Sequence, residues 1–316
     1  MIDIQNLCKN YGKKKVLNNL SLHVNKGDVL GFIGPNGAGK TTTMKMLCGV
    51  MPVYQGCIRL KSLDITQNPI QAKMITGYLP ENAPLYSNMS VEDFLIYAAR
   101  MHGIPSASLQ QKMDLATQRC SLKHVLHEEI DALSKGYKRR VCLAQAIIHE
   151  PEILVMDEPT DGLDPNQKRE IRNLINVLRQ DTAIIISTHI LEEVEAVCNR
   201  VALLCAGEKV FDDTTQNFQK MAEAVGTVAI EVAPEDLGKA SDLLLTHFGP
   251  ALKIIGSEFR FCCSRQQDEQ ERLQQQIMFL VKQHQIRLSK ELFPIPAKLD
   301  DIFAELTKKN EGESKK

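Results

Sequence analysis

No apolar run in this chain of 316 residues approaches the ~18–20 needed to cross a bilayer. A membrane-spanning helix is therefore not expected. Net charge is also missing: 38 basic residues stand against 39 acidic ones, for a formal charge of −1. That balance removes the bulk attraction that would make nucleic acid or an anionic membrane surface the main partner. The opening MIDIQNLCKNYGKKKVL lacks the basic-then-apolar order of a signal peptide. Nine cysteines are scattered with no C-x-x-C pair, and no His/Cys cluster has zinc-like spacing. They are expected to be reduced, mostly packing cysteines of a cytosolic protein. Adjacent Cys262 and Cys263 fall in a strand-like stretch that should send them to opposite faces.

The length suits about two domains at roughly 100–200 residues each. Residues 1–25 alternate apolar and polar around the turn signal YGKKK, which predicts an antiparallel strand region. DVLGFIG (28–34) reads as a short buried strand entering glycines, and TTMKMLCGV (42–50) continues as a helix. Ser90 with Asp93 predicts a capping box for a helix whose apolar face is Val91, Phe94, Leu95 and Ala98. EILVMDEP (152–159) and TAIIISTH (182–189) are buried strands separated by a helical segment, which implies a parallel sheet covered by helices. After about residue 220 the pattern changes to β-α-β-β-α-β. That order predicts a small ferredoxin-like α+β domain over 221–307, with a loose helical extension as the alternative. The tail 308–316 is polar and expected to be disordered.

Two motifs carry chemistry. GPNGAGKT (Gly34, Pro35, Asn36, Gly37, Ala38, Gly39, Lys40, Thr41) fits G-x-x-x-x-G-K-[ST], between a strand and a helix. Its glycines let backbone N–H groups curl around phosphates, with the positive end of the helix behind them. Lys40 is expected to reach the β- and γ-phosphates, and Thr41 to ligate Mg²⁺; Thr42 belongs to the same cradle. ILVMDEP then places Asp157 at a strand end to hold the Mg²⁺ shell, with Glu158 beside it to polarise the attacking water. Neighbours at a strand end diverge in direction, so the two carboxylates can serve different tasks.

The glycine loop, then LSKGY, ILVMDEP, TDGLDP and STH, in that order and spacing, resembles the ATP-binding subunit of an ABC transporter over residues 1 to about 220. The fold this implies is a P-loop NTPase of ABC type: a mainly parallel core, an antiparallel β region and a helical subdomain at about 82–145. The resemblance further implies that Tyr11 and Val16 contact adenine, and that His189 contacts the γ-phosphate. It also implies that Asp164 lies at a dimer seam, and that Ser134 and Gly136 act on the ATP held by a second copy. The partners implied are a second ATP-binding subunit in a homodimer and a separate integral-membrane permease, on the cytoplasmic face of the membrane. ATP and Mg²⁺ are the implied cofactors.

Two departures from the family pattern matter. Lys135 and Tyr137 stand where LSGGQ-like elements carry glycine and glutamine, but the serine hydroxyl and Gly136 remain, so a working variant is expected. Glu81 replaces a glutamine after GYLP; a carboxylate can also ligate Mg²⁺. Both variants, and KLDDIFAELT (298–307), resemble the gliding-motility and copper-processing type that pairs with type-2 export permeases. Two other readings are a soluble ABC ATPase acting on ribosomes or DNA, and a non-hydrolysing scaffold. The single P-loop and the absence of a heptad run or basic excess count against the first. The presence of Lys40, Glu158 and His189 counts against the second.

Overall fold

The computed structural model describes residues 1–82, 84–249, 252–264 and 267–295, and leaves undescribed the side chains of 221–227, 253, 262–264, 267–270 and 293–295. The side-chain directions expected of Cys262 and Cys263, the 298–307 resemblance and the 308–316 tail fall outside this description.

Period-two alternation sets the first sheet. Ile2–Tyr11 (β1) and Lys14–Val24 (β2) pair antiparallel, with Ile2 opposite Val24 and Ile4 opposite Leu22. Gln55–Leu60 (β4) and Leu63–Asp64 (β5) extend it in the order β2-β1-β4-β5. Mainly apolar runs make most of the second sheet, from Val29–Ile33 (β3), Thr76–Leu79 (β6), Ile153–Asp157 (β7), Ala183–Thr188 (β8) and Arg200–Cys205 (β9), with the more polar Glu208–Thr214 (β10) at its edge. Its order is β10-β9-β3-β8-β7-β6, parallel except for β10. Every residue of β3, β7 and β8 is buried, as expected of strands covered on both faces.

One face of that sheet (Leu30, Phe32, Val155, Ile185, Leu204) shares a core with Ile2, Ile4 and Leu22 of the first sheet. Helix α1 (Lys40–Leu47) contributes Met44, Met46 and Leu47 to this core, so its N-terminus is held rigidly at the end of β3. Helices Pro69–Met74 (α2), Val91–Met101 (α3), Ser106–Arg119 (α4) and Lys135–Ile147 (α5) follow. The backbone of α5 comes so near β6 that a Cβ on Gly77 would sit 2.1 Å from the Ala146 carbonyl oxygen. The expected face of α3 is buried, but its capping box is half formed: the Ser90 hydroxyl accepts the Asp93 N–H at 3.1 Å. The same hydroxyl donates to the Asp93 carboxylate at 2.7 Å, which turns that side chain away from the Ser90 N–H it was expected to accept. Pro165–Leu178 (α6) and Leu191–Val197 (α7) complete a compact unit, Met1–Thr215. Cys48, Cys120, Cys142 and Cys198 are buried free thiols within it.

A second unit, Gln216–Lys316, is led in by Thr215–Ala224 (α8). It runs Val225–Val232 (β11), Leu237–Phe248 (α9), Leu252–Ile255 (β12), Glu258–Ser264 (β13), Gln267–Gln283 (α10) and Leu288–Ile295 (β14). The sheet is antiparallel in the order β12-β13-β11-β14, and Ile230, Val232, Ala240, Leu244, Phe259, Phe261, Ile277 and Val281 form its core.

Candidate active site

The loop between β3 and α1 begins where a side chain has no room: a Cβ on Gly34 would lie 2.3 Å from the Leu204 carbonyl oxygen. The chain then doubles back, the Ala38 N–H donating to the Pro35 carbonyl at 3.1 Å, and enters α1 with Lys40 as its first residue. The buried Lys40 ammonium donates to the carbonyls of Gly34 (2.6 Å) and Pro35 (3.3 Å), which holds it over the loop. Burial lowers its pKa; Glu158, Asp157 and Glu81 pull it back up. A cavity of about 420 Å³ lies over this loop. Tyr11, Val16, Asn36, Gly37, Gly39, Lys40, Thr41, Thr42, Glu81, Glu158 and His189 all line it. Gly34 and Pro35 serve it through the carbonyls that hold Lys40, while Ala38 is buried behind it.

The two carboxylates ending β7 do diverge. Asp157 is 1% exposed and its Oδ1 accepts the Ser187 hydroxyl, while Oδ2 is buried with no hydrogen-bond partner among the described residues. Glu158 turns the other way, with both carboxylate oxygens 3.0 Å from His189 Nδ1. A carboxylate only accepts, so Nδ1 carries the proton in this pair. Burial raises the Glu158 pKa, and His189 and Lys40 oppose the rise. The Glu158 N–H is fixed by the carbonyl and the hydroxyl of Ser187, each at 3.1 Å. A buried lysine and a carboxylate braced by an imidazole thus line one cavity, and Asp157, buried near enough to act on Lys40, does not line it. Such a set can bind a polyphosphate and activate a water.

Ser134, Gly136 and Asp164 do not line this cavity. Ser134 is the N-cap of α5, accepting the Tyr137 N–H at 3.4 Å. Asp164 caps α6 in a full capping box with Gln167, and a Cβ on Gly136 would meet the Gln167 amide at 2.5 Å. The Lys135 side chain points toward Asp161, 3.4 Å away, and the Tyr137 hydroxyl meets His124 at 2.8 Å. Lys14 and Asp161 also line the cavity and were not anticipated. The signals for them are that Lys14 opens β2 directly opposite Tyr11 and that Asp161 lies three residues past Glu158.

Residues 17–161 match the ABC transporter family. Over 226 residues the chain is 36% identical to the uncharacterized ABC transporter ATP-binding protein YxlF of Bacillus subtilis, covering 71% of this chain and 74% of that one. Over 308 residues it is 30% identical to the Nod factor export ATP-binding protein I of Ralstonia nicotianae, covering 97% and 94% respectively. A solved ATP-binding subunit of an ABC transporter superposes with a TM-score of 0.66 at 27% identity, covering 70% of this chain and 92% of that one. The chain belongs to the ABC transporter ATP-binding proteins. It is an ATPase subunit whose hydrolysis of ATP powers a separate membrane permease.

Proposed function

We propose that the chain works as a homodimer on the cytoplasmic face of the membrane and drives an exporter of the gliding-motility and copper-processing type. The observation that carries the mechanism is the Glu158–His189 pair at 3.0 Å, lining the same cavity as Lys40. Glu158 acts as the base that takes a proton from the attacking water. Its raised pKa brings it nearer to neutrality, where a general base is most effective. His189 holds that carboxylate and contacts the γ-phosphate. Lys40 leaves the carbonyls of Gly34 and Pro35 for the phosphate oxygens, and the loop N–H groups from Asn36 to Thr42 cradle the rest. Tyr11, half exposed, and Val16 form the adenine platform.

Mg²⁺ fits the residues present. The orphaned Asp157 Oδ2 is a buried hard oxygen in need of a partner, and Thr41 and Glu81 line the neighbouring cavity. When bound, the ion neutralises charge on the β- and γ-phosphate oxygens. Ser134 and Gly136, at the N-terminus of α5, contact the ATP of the second subunit, and Asp164 lies at the seam. Their absence from the cavity of a single chain supports that arrangement. LSKGY supports a working variant: Ser134 keeps its hydroxyl at the helix N-terminus, and the Lys135 side chain is turned toward Asp161.

Export is supported by relatives named for Nod factor export and linearmycin resistance. A peripheral location is supported in that no helix among the described residues is long and apolar enough to cross a membrane. The strand order β12-β13-β11-β14 supports reading the second unit as ferredoxin-like. The test is to tag Glu158→Gln, purify it with Mg·ATP from detergent-solubilised membranes and identify what comes with it. A polytopic membrane protein is the expected companion. Ribosomes or DNA-repair proteins in its place would refute the transporter assignment.

A further inference from the structure

Arg139 lies on α5, one turn beyond the Ser134 cap, and is 6% exposed. A guanidinium so deeply buried is costly unless its N–H groups find acceptors. All five hydrogen bonds recorded for it end on main-chain carbonyls of two separate segments. Nη1 donates to Pro80 and to Glu81 (2.8 Å). Nη2 donates to Asp157 (2.6 Å) and Glu158 (2.8 Å), and Nε to Pro159 (3.3 Å).

Successive carbonyls of an extended strand point to opposite sides. Two neighbours reach one nitrogen here because Glu158 leaves the strand in the left-handed region, at φ 49°. A non-glycine residue is strained there and persists only where its surroundings impose it. The same twist brings the Glu158 carboxylate to His189. Arg139 therefore clamps the backbone conformation that aims the carboxylate, and ties it to the main chain of Glu81, which lines the same cavity.

We infer that Arg139 is a positioning residue for hydrolysis. It fixes Glu158 and Glu81 to each other and to the helix that begins at Ser134, without touching nucleotide itself. This inference rests on the reading of Glu158 as the base. Its test compares Arg139→Gln, Arg139→Lys and Glu158→Gln in the full-length chain, measuring ATPase kcat, the Kd of a fluorescent ATP analogue and thermal melting. A misplacement near 1 Å can reduce a rate by about a hundredfold. Arg139→Gln is expected to lower kcat by roughly tenfold to a hundredfold with Kd within about twofold. Arg139→Lys, which keeps a cation and three N–H donors, is expected to recover part of that loss. Unchanged kcat in a folded Arg139→Gln protein overturns the inference. So does a loss of kcat accompanied by a comparable rise in Kd in both Arg139 variants, which is the signature of general structural damage. Full activity in Glu158→Gln would instead refute the assignment of the base, whatever the Arg139 variants do.

Discussion

Acid should loosen the nucleotide-binding unit through one imidazole. His149, just past the end of α5, stacks on His102 with centroids 3.7 Å apart and planes 7° from parallel. Its Nε2 lies 3.2 Å from the Thr76 carbonyl, so Nε2 carries the proton, and Nδ1 is buried with no partner among the described residues. Protonating Nδ1 would bury an unsatisfied cation. Burial first, then His102, push the His149 pKa down to about 4 from 6.5, and burial lowers His102 as well. Below pH 6.5 the unfolded chain takes up a proton that the folded chain refuses, so stability falls as pH drops from about 6.5 to about 4 and levels off below. A shift of that size corresponds to about 3 kcal/mol in all, and about 2 kcal/mol by pH 5. At roughly 2–4 °C per kcal/mol for a unit of this size, acidification from pH 7.5 to 5 should lower its Tm by about 4–8 °C through this group. His149→Gln keeps a donor for Thr76 and cannot be protonated, so its Tm should fall less by that amount. The assay is differential scanning calorimetry of both proteins across pH 4.5–8. Parallel curves would refute the account of His149 as a neutral buried group.

Other outcomes follow from the cavity and its surroundings. Lys40→Ala removes the cation that the glycine loop holds with its own carbonyls, and should abolish turnover or nucleotide binding; wild-type ATPase rates would sink the phosphate-cradle reading. Ser134→Arg should block ATP-driven dimerisation, followed by size-exclusion light scattering, while one-chain nucleotide binding survives and the lost cap costs about 1 kcal/mol of stability. Gly77→Ala drives a methyl into the Ala146 carbonyl, so α5 and β6 must separate. It should destabilise the unit by about 1–3 kcal/mol, read as a lowered urea midpoint.

Much of the site was legible because it is local. Strand, glycine turn and helix follow one another without interruption from Val29 to Leu47, and the two carboxylates at the end of β7 are adjacent in sequence. Arg139 was not legible. In YKRRV it reads as one more charge on an exposed helix face, yet both Arg139 and Arg140 are buried. What hides Arg139 is the approach of Pro80–Glu81 and Asp157–Pro159, segments distant in sequence whose main chains leave no mark in any side-chain pattern. Ser134 and Asp164 stand out in the sequence for the roles that the family resemblance implies toward a second copy, while their work inside the chain, starting α5 and α6, shows only in the structure. The half-formed box at Ser90 shows the limit of a short motif: an aspartate in the third helical position bonds the serine hydroxyl and leaves the serine N–H alone.

Because Ser134 and Asp164 already cap their own helices, the surface they occupy is folded before any partner arrives. Nothing there waits to fold on contact. In the dimer proposed above, closing and reopening would then be the meeting and parting of preformed faces, with no segment to order and melt again in each turnover. A face built this way suits a machine that must let go as readily as it grips.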